Sequence, residues 1–405
     1  MPDMLRFVPT GARIALATLS AVLATPLPAA AHAPTLPCPR EAGPRMSEAV
    51  RASAPPADPV HRAVGGDQLA TSGLAVAPGA AKPPKVSATS WLVADLDTGA
   101  VLGACGAHEY GTPASVQKLL LAAALLGRLD PKEVVTVTRE DLDYEPGSSA
   151  AGLVEGGRYT VEDLWLGLIL VSGNDAANVL ARLGGNGDGA AGGVRAMNAE
   201  AARLGAYQTH AVTPSGLDAP GQFTSAYDLA LIARACFADE AFRRYALTRE
   251  ARVPDQPRKK VKGFQIGNQN LLIFNYAGAL GGKTGYTDLA RHTYVGAAER
   301  DGRRLVVSLL GAESAPLSGW QQGAALLDWG FAQPRDAAVG RLITPGEPAT
   351  GASPSAAAAA AAAGTATGAA SDGVGVGPLL ALGAAVAAVY GVVSAIRRRS
   401  RPGGA

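Results

Sequence analysis

Two strand–turn–strand patterns that lie far apart in the sequence constrain the fold of this chain most strongly. Ser90–Asp95 and Ala100–Ala104 are apolar runs separated by an Asp-Thr-Gly turn, which is typical of a β-hairpin. Thr293–Ala298 and Arg303–Leu310 flank an Asp-Gly turn in the same way. A chain with hairpins so far apart is expected to complete one antiparallel sheet from both ends of a domain.

Between the hairpins the apolar residues recur at helical spacing. The helical patterns are Ser115–Leu126, Val161–Leu170, Ala176–Leu183 and Ala226–Ala238, and a further helix is predicted at Gly319–Trp329. The sequence therefore predicts an α/β protein of the α+β type, with a helical insertion in an antiparallel sheet.

Both ends of the chain carry membrane-related signals. Residues 1–31 combine two arginines, an apolar stretch and a small-residue cleavage pattern, which predicts a signal peptide; an uncleaved anchor helix is the alternative. Residues 374–396 contain no charge and are long enough to cross a bilayer. Four arginines in residues 397–405 follow, so the sequence predicts one transmembrane helix with a basic cytoplasmic tail and the main domain outside the cell.

Two segments have the composition of linkers. Residues 32–86 are rich in Pro, Ala and Gly and are expected to form a loosely ordered lead-in to a folded domain at 87–335. Residues 340–373 contain eight consecutive alanines among Gly, Ser, Thr and Pro, which indicates a tether between that domain and the membrane.

Charge and cysteine content exclude several functions. A net charge of +2 suggests no nucleic-acid partner. Neither Cys-x-x-Cys nor His-Glu-x-x-His occurs, so no metal or other cofactor is expected. Export permits disulfides, and Cys38 with Cys105 is the preferred pair because Cys236 lies in a helical pattern where it could simply be buried; the other pairings remain open.

The first of three short motifs is Ser115-Val116-Gln117-Lys118. Thr112 is a plausible N-cap and Pro113 suits the first helical position, so Ser115 should lie at the positive end of a helix. Lys118 follows Ser115 by nearly one helical turn, so the two side chains lie on the same face of the helix. An ordinary lysine is protonated, but burial and a nearby cation such as Lys283 can lower its pKa until it acts as a base. Ser-x-x-Lys alone is common by chance.

The other two motifs are also weak when taken singly. Ser172-Gly173-Asn174 lies in a loop between two helical patterns, where Ser172 can relay a proton and Asn174 can hold a substrate carbonyl or orient Lys118; alone it would be read as a helix cap. Lys283-Thr284-Gly285 is followed by Tyr286 and Thr287, and its lysine and threonine hydroxyls suit a terminal carboxylate. The alternative is a surface turn with a solvated lysine.

The ordered set of three is specific. It resembles the motifs of penicillin-binding proteins, and further stretches are similar to D-alanyl-D-alanine carboxypeptidases among the low-molecular-weight penicillin-binding proteins. The resemblance covers residues 85–332 and is carried by Ala94–Leu102, Thr112–Lys118, Leu170–Asn178, Thr213–Leu229 and Gly281–Leu310.

The resemblance implies a fold, a reaction and a set of partners. The fold is a β-lactamase/DD-peptidase-like one, with a five-stranded antiparallel sheet flanked by helices and an all-helical subdomain. The implied partners are the peptidoglycan stem peptide and β-lactam inhibitors, while oligomeric state is left open. The implied site residues are Ser115 as nucleophile, Lys118 as general base, Ser172 and Asn174 as proton-transfer and binding groups, Lys283, Thr284, Gly285, Tyr286 and Thr287 as the substrate-binding strand, and the Ser115 and Tyr286 backbone N–H groups as oxyanion hole.

Two other readings share these residues. A class A-like β-lactamase needs Glu-x-x-x-Asn to activate its deacylating water, and none follows Ser172 within about sixty residues; Glu200 is followed by Leu204. A non-catalytic wall-binding module is disfavoured because Ser115, Lys118 and Lys283 are all present. Endopeptidases and transpeptidases use the same residues and are not separated by sequence.

Overall fold

The computed structural model describes residues 35–41 and 55–349. The predicted signal peptide, the transmembrane helix at 374–396, the basic tail and most of the linker at 340–373 lie outside these ranges. Within them, no helix combines the length and the apolar character that a membrane span needs.

One antiparallel sheet forms the centre of the domain. The strands of the described residues are β1 (Leu74–Val76), β2 (Ser90–Asp95), β3 (Ala100–Cys105), β4 (Val134–Thr136), β5 (Arg158–Thr160), β6 (Glu250–Val253), β7 (Phe264–Gly267), β8 (Ala279–Thr287), β9 (Arg291–Arg300), β10 (Arg303–Ala312) and β11 (Gly340–Arg341). The sheet runs β1-β3-β2-β10-β9-β8, with β11 also on β3, while β4–β5 and β6–β7 form separate two-stranded pairs. Both predicted hairpins are confirmed, as β2–β3 and β9–β10.

The helices cover both faces of the sheet. They are α1 (Pro59–Arg62), α2 (Lys118–Leu125), α3 (Val161–Leu170), α4 (Asn174–Gly184), α5 (Gly189–Leu204), α6 (Ala226–Ala238), α7 (Glu240–Leu247), α8 (Leu272–Asn275) and α9 (Gly319–Phe331). Successive residues of a strand point to opposite faces. Accordingly, Trp91 and Val93 pack with the α9 residue Leu327, whereas Leu92 and Ala94 join the core that contains α2 and α6.

The sheet is wider than the five strands that the family resemblance implied. Its five long strands are joined by β1 and β11, which both pair with the outer edge of β3. The expectation of a loosely ordered lead-in over 32–86 is therefore wrong at β1. An edge strand such as β3 has unpaired backbone groups that a short apolar segment can satisfy. A disulfide between Cys38 and Cys105, at the end of β3, confirms the preferred pair.

The predicted helices are confirmed in position, but α1, α5, α7 and α8 were missed, of which α5 and α7 are the longer two. α5 begins Gly-Ala-Ala-Gly-Gly, and its apolar repeat of Val194, Met197, Ala201 and Leu204 starts only after these residues, where the sequence analysis overlooked it. Its small residues allow close packing on α4, because a Cβ at Gly193 would lie 2.3 Å from the Ala181 carbonyl oxygen. α7, with the sequence Glu-Ala-Phe-Arg-Arg-Tyr-Ala-Leu, is only eight residues long, too short for a clear helical repeat. Cys236 of α6 is buried and unoxidised.

Candidate active site

Ser115 lies in a tight turn directly before α2. Residues Ala114–Gln117 form a 3₁₀ turn, and α2 begins at Lys118. The predicted Thr112 cap is wrong, because Pro113 is the capping residue and no side chain caps the turn. Ala114, the first residue of this turn, adopts a left-handed φ of 48°, which is strained for a residue other than glycine. The strained conformation is anchored from the sheet, since Thr293 Oγ1 donates a 2.8 Å hydrogen bond to the Pro113 carbonyl.

Lys118 is the most constrained group of the site. Its side chain is 0% exposed, and Nζ lies 2.8 Å from Ser115 Oγ, 2.7 Å from Asn174 Oδ1 and 2.7 Å from the Ser215 carbonyl oxygen. Burial, followed by the positive charge of Lys283, holds the lysine pKa well below its usual range. A neutral amine has two protons, which the two carbonyl-type oxygens accept, and one lone pair, which faces the Ser115 hydroxyl.

The second motif lies beside Lys118. Asn174 begins α4, and its Nδ2 donates a 2.9 Å hydrogen bond to Ser148 Oγ. Ser172 is buried with a left-handed φ of 61°, and its hydroxyl has no hydrogen-bond partner within the described residues. The structure therefore brings Asn174 onto Lys118, as predicted, and presents the Ser172 hydroxyl without a competing protein contact.

Asp175 supports the segment that contacts Asn174, and the sequence analysis missed it. Its buried carboxylate accepts hydrogen bonds of 2.8–2.9 Å from the backbone N–H groups of Ala151, Gly152 and Leu153. The segment that it holds carries Ser148, the partner of Asn174. An aspartate in the first turn of a helix is an ordinary sequence feature, so nothing marked Asp175 as different.

The third motif lies on β8, at the edge of the sheet. Lys283 is 2% exposed, its Nζ donates a 2.7 Å hydrogen bond to the Thr284 carbonyl, and burial lowers its pKa to about 7. Gly285 lies against the nucleophile turn. A Cβ there would be 2.3 Å from Thr293 Oγ1 and 2.9 Å from the Ser115 backbone nitrogen, so only glycine permits this approach.

Tyr286 and Thr287, the two residues after the motif, form the end of β8. Tyr286 is 47% exposed, and its hydroxyl donates to Asp288 at 2.8 Å and accepts a hydrogen bond from Arg291. The Thr287 hydroxyl, predicted to hold a carboxylate, donates a 2.8 Å hydrogen bond to Asp218. The sequence analysis missed both Asp218 and Ser215, although they lie in a stretch that it recognised as family-like.

These groups together constitute a serine acyl-transfer site. A hydroxyl faces a buried amine of lowered pKa, and a second buried amine, that of Lys283, lies on β8. In the part of the chain that the structure describes, no three His, Cys, Asp or Glu side chains are grouped to hold a metal.

The sequence and fold are similar to those of known D-alanyl-D-alanine carboxypeptidases. Residues 77–314 match the peptidase S11 family of D-alanyl-D-alanine carboxypeptidases. D-alanyl-D-alanine carboxypeptidase DacB2 of Mycobacterium tuberculosis is 44% identical over 64% of this chain and 87% of its own length. DacD of Salmonella typhimurium is 35% identical over 65% of this chain and 66% of its own length.

Solved structures agree with this result. The crystal structure of D-alanyl-D-alanine carboxypeptidase from Mycobacterium tuberculosis H37Rv has 42% sequence identity and a TM-score of 0.62, covering 66% of this chain and 99% of that one. The Streptomyces K15 DD-transpeptidase has 27% identity and a TM-score of 0.59, covering 62% of this chain and all of its own. The chain belongs to the peptidase S11 family of D-alanyl-D-alanine carboxypeptidases.

Proposed function

We propose that this protein removes the terminal D-alanine from peptidoglycan stem pentapeptides through an acyl-enzyme on Ser115, and that β-lactams inhibit it by forming a stable ester there. Membership of the S11 family supports the reaction class. The observation that carries the assignment of residues is the fully buried Lys118 amine, whose Nζ lies 2.8 Å from Ser115 Oγ.

In the proposed acylation, Ser115 Oγ attacks the carbonyl carbon of the penultimate D-alanine while its proton passes to Lys118 Nζ. The backbone N–H groups of Ser115 and Tyr286 stabilise the negative oxygen that forms. The peptide C–N bond then breaks, and the leaving D-alanine nitrogen takes a proton from Lys118 by way of the Ser172 hydroxyl. Water attacks the resulting ester, gives a proton to Lys118 and releases the tetrapeptide, after which Ser115 regains its proton.

Lys283 and Thr284 are proposed to hold the terminal carboxylate. A buried ammonium group is costly unless an anion pairs with it, and a substrate carboxylate would supply that anion. Lys283 lies on β8 beside Gly285, where that strand contacts the turn that carries Ser115. Binding of the carboxylate favours the charged form of Lys283. In the free protein the charge of Lys283 is one cause of the low Lys118 pKa.

A β-lactamase activity is disfavoured because no carboxylate in the described site is free to activate water. Asp175 is the acidic group whose charge acts on Lys118, and its oxygens accept three backbone hydrogen bonds. Glu200 is paired with Arg203. A penicilloyl ester on Ser115 should therefore persist.

The deciding experiment supplies the purified domain with a D-Ala-D-Ala-terminated pentapeptide and measures free D-alanine, with and without benzylpenicillin. Release that penicillin blocks supports the carboxypeptidase. Stable penicillin labelling without release would point instead to an endopeptidase, a transpeptidase or a non-catalytic scaffold, and rapid penicillin hydrolysis would identify a β-lactamase.

We also propose that the catalytic domain is exported and stays attached to the cell membrane by residues 374–396, with residues 397–405 in the cytoplasm. The uncharged stretch and the arginines that follow it support this proposal. Expression of the full chain and of a chain ending at residue 349 tests it. The full chain should sediment with membranes and resist salt extraction, while the shorter one should not; equal behaviour would contradict the proposal.

A further inference from the structure

One loop, Val212–Gln222, contacts both Lys118 and the end of β8. Its Ser215 carbonyl accepts a 2.7 Å hydrogen bond from Lys118 Nζ. Three residues later, Asp218 accepts a 2.8 Å hydrogen bond from Thr287 Oγ1, at the end of β8. The loop therefore connects the base to the strand that presents the predicted oxyanion donor.

The loop is held in one conformation by a buried glutamine. Gln222 Oε1 accepts hydrogen bonds from the backbone N–H groups of Val212 and Thr213, at 3.1 and 2.9 Å. Its amide nitrogen donates to the Leu217 carbonyl at 2.6 Å, which closes the loop on itself. Buried side-chain hydrogen bonds of this kind rigidify a segment.

The same loop is bonded to the nucleophile turn. Gln117, the residue before Lys118, donates its side-chain amide to Gln222 Oε1 at 3.0 Å and to the Thr213 carbonyl. Gly216 packs directly on the turn, since a Cβ there would lie 1.9 Å from the Ala114 carbonyl oxygen. The loop and the turn therefore form one rigid unit, and Asp218 is the point at which this unit is bonded to the end of β8.

The only proton of the Thr287 hydroxyl is already donated in this arrangement. That proton goes to Asp218, and the hydroxyl oxygen accepts a 2.9 Å hydrogen bond from the Ala290 backbone N–H. While Asp218 accepts that proton, Thr287 cannot donate it to a substrate carboxylate. The role of Thr287 seen here is to attach the strand, and Lys283 with Thr284 remains for the carboxylate.

We propose that Asp218 is a positioning residue, which acts through Thr287 to hold the end of β8 against the nucleophile turn, so that the Tyr286 backbone N–H stays aligned with Ser115. The inference rests on the proposed function, because it assigns Tyr286 an oxyanion role. An interaction that aligns a donor for the tetrahedral oxygen acts in the transition state and not in substrate binding. Its loss should lower kcat and leave KM nearly unchanged.

The test compares Asp218→Ala and Asp218→Asn with the wild-type protein. Asparagine keeps an oxygen that can accept the Thr287 proton, whereas alanine does not. We expect Asp218→Ala to lower kcat for D-alanine release about tenfold, with KM within about twofold, and Asp218→Asn to recover most of the loss. Asp336→Ala, at an exposed aspartate before β11, is the matched control and should be unchanged.

A double-mutant cycle separates this role from a general loss of stability. In a Thr287→Val background, Asp218→Ala should have almost no further effect on kcat, because the bond is already absent. Additive losses, or an asparagine variant no better than the alanine variant, would overturn the inference. A folded Asp218→Ala protein with wild-type kcat would do the same.

The rate of Ser115 acylation by benzylpenicillin is measured on all variants in parallel, because it depends on the same oxyanion geometry. Should the wild-type protein release no D-alanine, the proposed function fails, while the acylation rates still decide the role of Asp218. An acylation rate of Asp218→Ala about tenfold below wild type, rescued by asparagine, supports the inference. Equal rates reject it.

Discussion

Lys118 Nζ lies 2.8 Å from Ser115 Oγ and makes its other two hydrogen bonds to oxygens that can only accept. Since Asn174 Oδ1 and the Ser215 carbonyl take both protons of a neutral amine, its lone pair is directed at the serine hydroxyl. The surroundings of Lys118 thus lower its pKa and hold its Nζ against Ser115 Oγ. This relationship leads to the first two predictions.

Replacing the amine should abolish catalysis without unfolding the protein. Lys118→Met fills the fully buried position with an unbranched apolar side chain but supplies no base. We expect acylation by benzylpenicillin to slow by about 10²–10⁴-fold, while thermal unfolding occurs no lower than in the wild type. Lys132→Met, at an exposed lysine, is the control. Wild-type acylation in Lys118→Met would remove the lysine from its role.

The two lysines should give kcat/KM a bell-shaped pH dependence. Lys118 must be neutral, so kcat/KM rises as pH increases through its lowered pKa. Lys283 must be cationic to hold the carboxylate, so kcat/KM falls as pH increases through about 7. Stopped-time assays of D-alanine release across pH check this expectation. A rate that keeps rising well above neutral pH would contradict the assignment of Lys283.

Removing the charge of Lys283 should move the acidic limb of the profile. The Lys283 cation is one of the causes of the low Lys118 pKa, so Lys283→Gln should raise that pKa. The rate of penicillin acylation should then require a higher pH in the variant than in the wild type. An acidic limb at the wild-type pH in a folded Lys283→Gln protein would show that the two amines are not coupled.

Asp175 should matter for stability as well as for catalysis. Asp175→Asn keeps the shape but puts an amide where three backbone N–H groups point. We expect the free energy of unfolding to fall by about 2–3 kcal/mol, and acylation to slow as Ser148 and Asn174 lose their alignment. Urea unfolding measures the first effect. Asp188→Asn, in an exposed pair with Arg195, should change it by less than about 0.5 kcal/mol.

The disulfide should stabilise the edge of the sheet. Cys38 and Cys105 are 67 residues apart in sequence, so their bond restricts the unfolded chain considerably. Replacing both with serine should lower the free energy of unfolding by about 2–4 kcal/mol. A reducing agent should destabilise the wild-type protein similarly and leave the double variant unaffected. An equal response of both proteins to the reducing agent would mean that the bond does not form.

The sequence predicted those parts of the fold that have a local pattern. The β9–β10 hairpin follows from two apolar runs around an Asp-Gly turn, and α6 follows from its helical repeat. β1 and β11 could not be predicted in this way, because they are two or three residues long and are strands only by pairing with β3. α5 was missed because its first turns are glycine and alanine, which pack closely on α4, and its apolar stripe at Met197, Ala201 and Leu204 is short.

The motifs singled out four residues that the structure brings together. Ser115 and Asn174 lie within hydrogen-bond distance of Lys118, and the Lys283 charge lowers the Lys118 pKa, as the sequence analysis expected; the catalytic roles of these residues stay predictions. The Ser215 carbonyl could not be identified from sequence, because every residue has one and only the fold selects it. Asp218 was hidden for a related reason, since its partner Thr287 was assigned to the substrate.

The most direct test of the account locates the penicillin adduct. Wild-type protein, Ser115→Ala and the exposed-serine control Ser314→Ala are each treated with benzylpenicillin, then weighed intact and mapped by peptide mass spectrometry. The account predicts one penicilloyl group on the peptide that contains Ser115 in the wild type and the control, and none in a folded Ser115→Ala protein. An adduct on another residue, or full labelling of Ser115→Ala, would show that Ser115 is not the nucleophile.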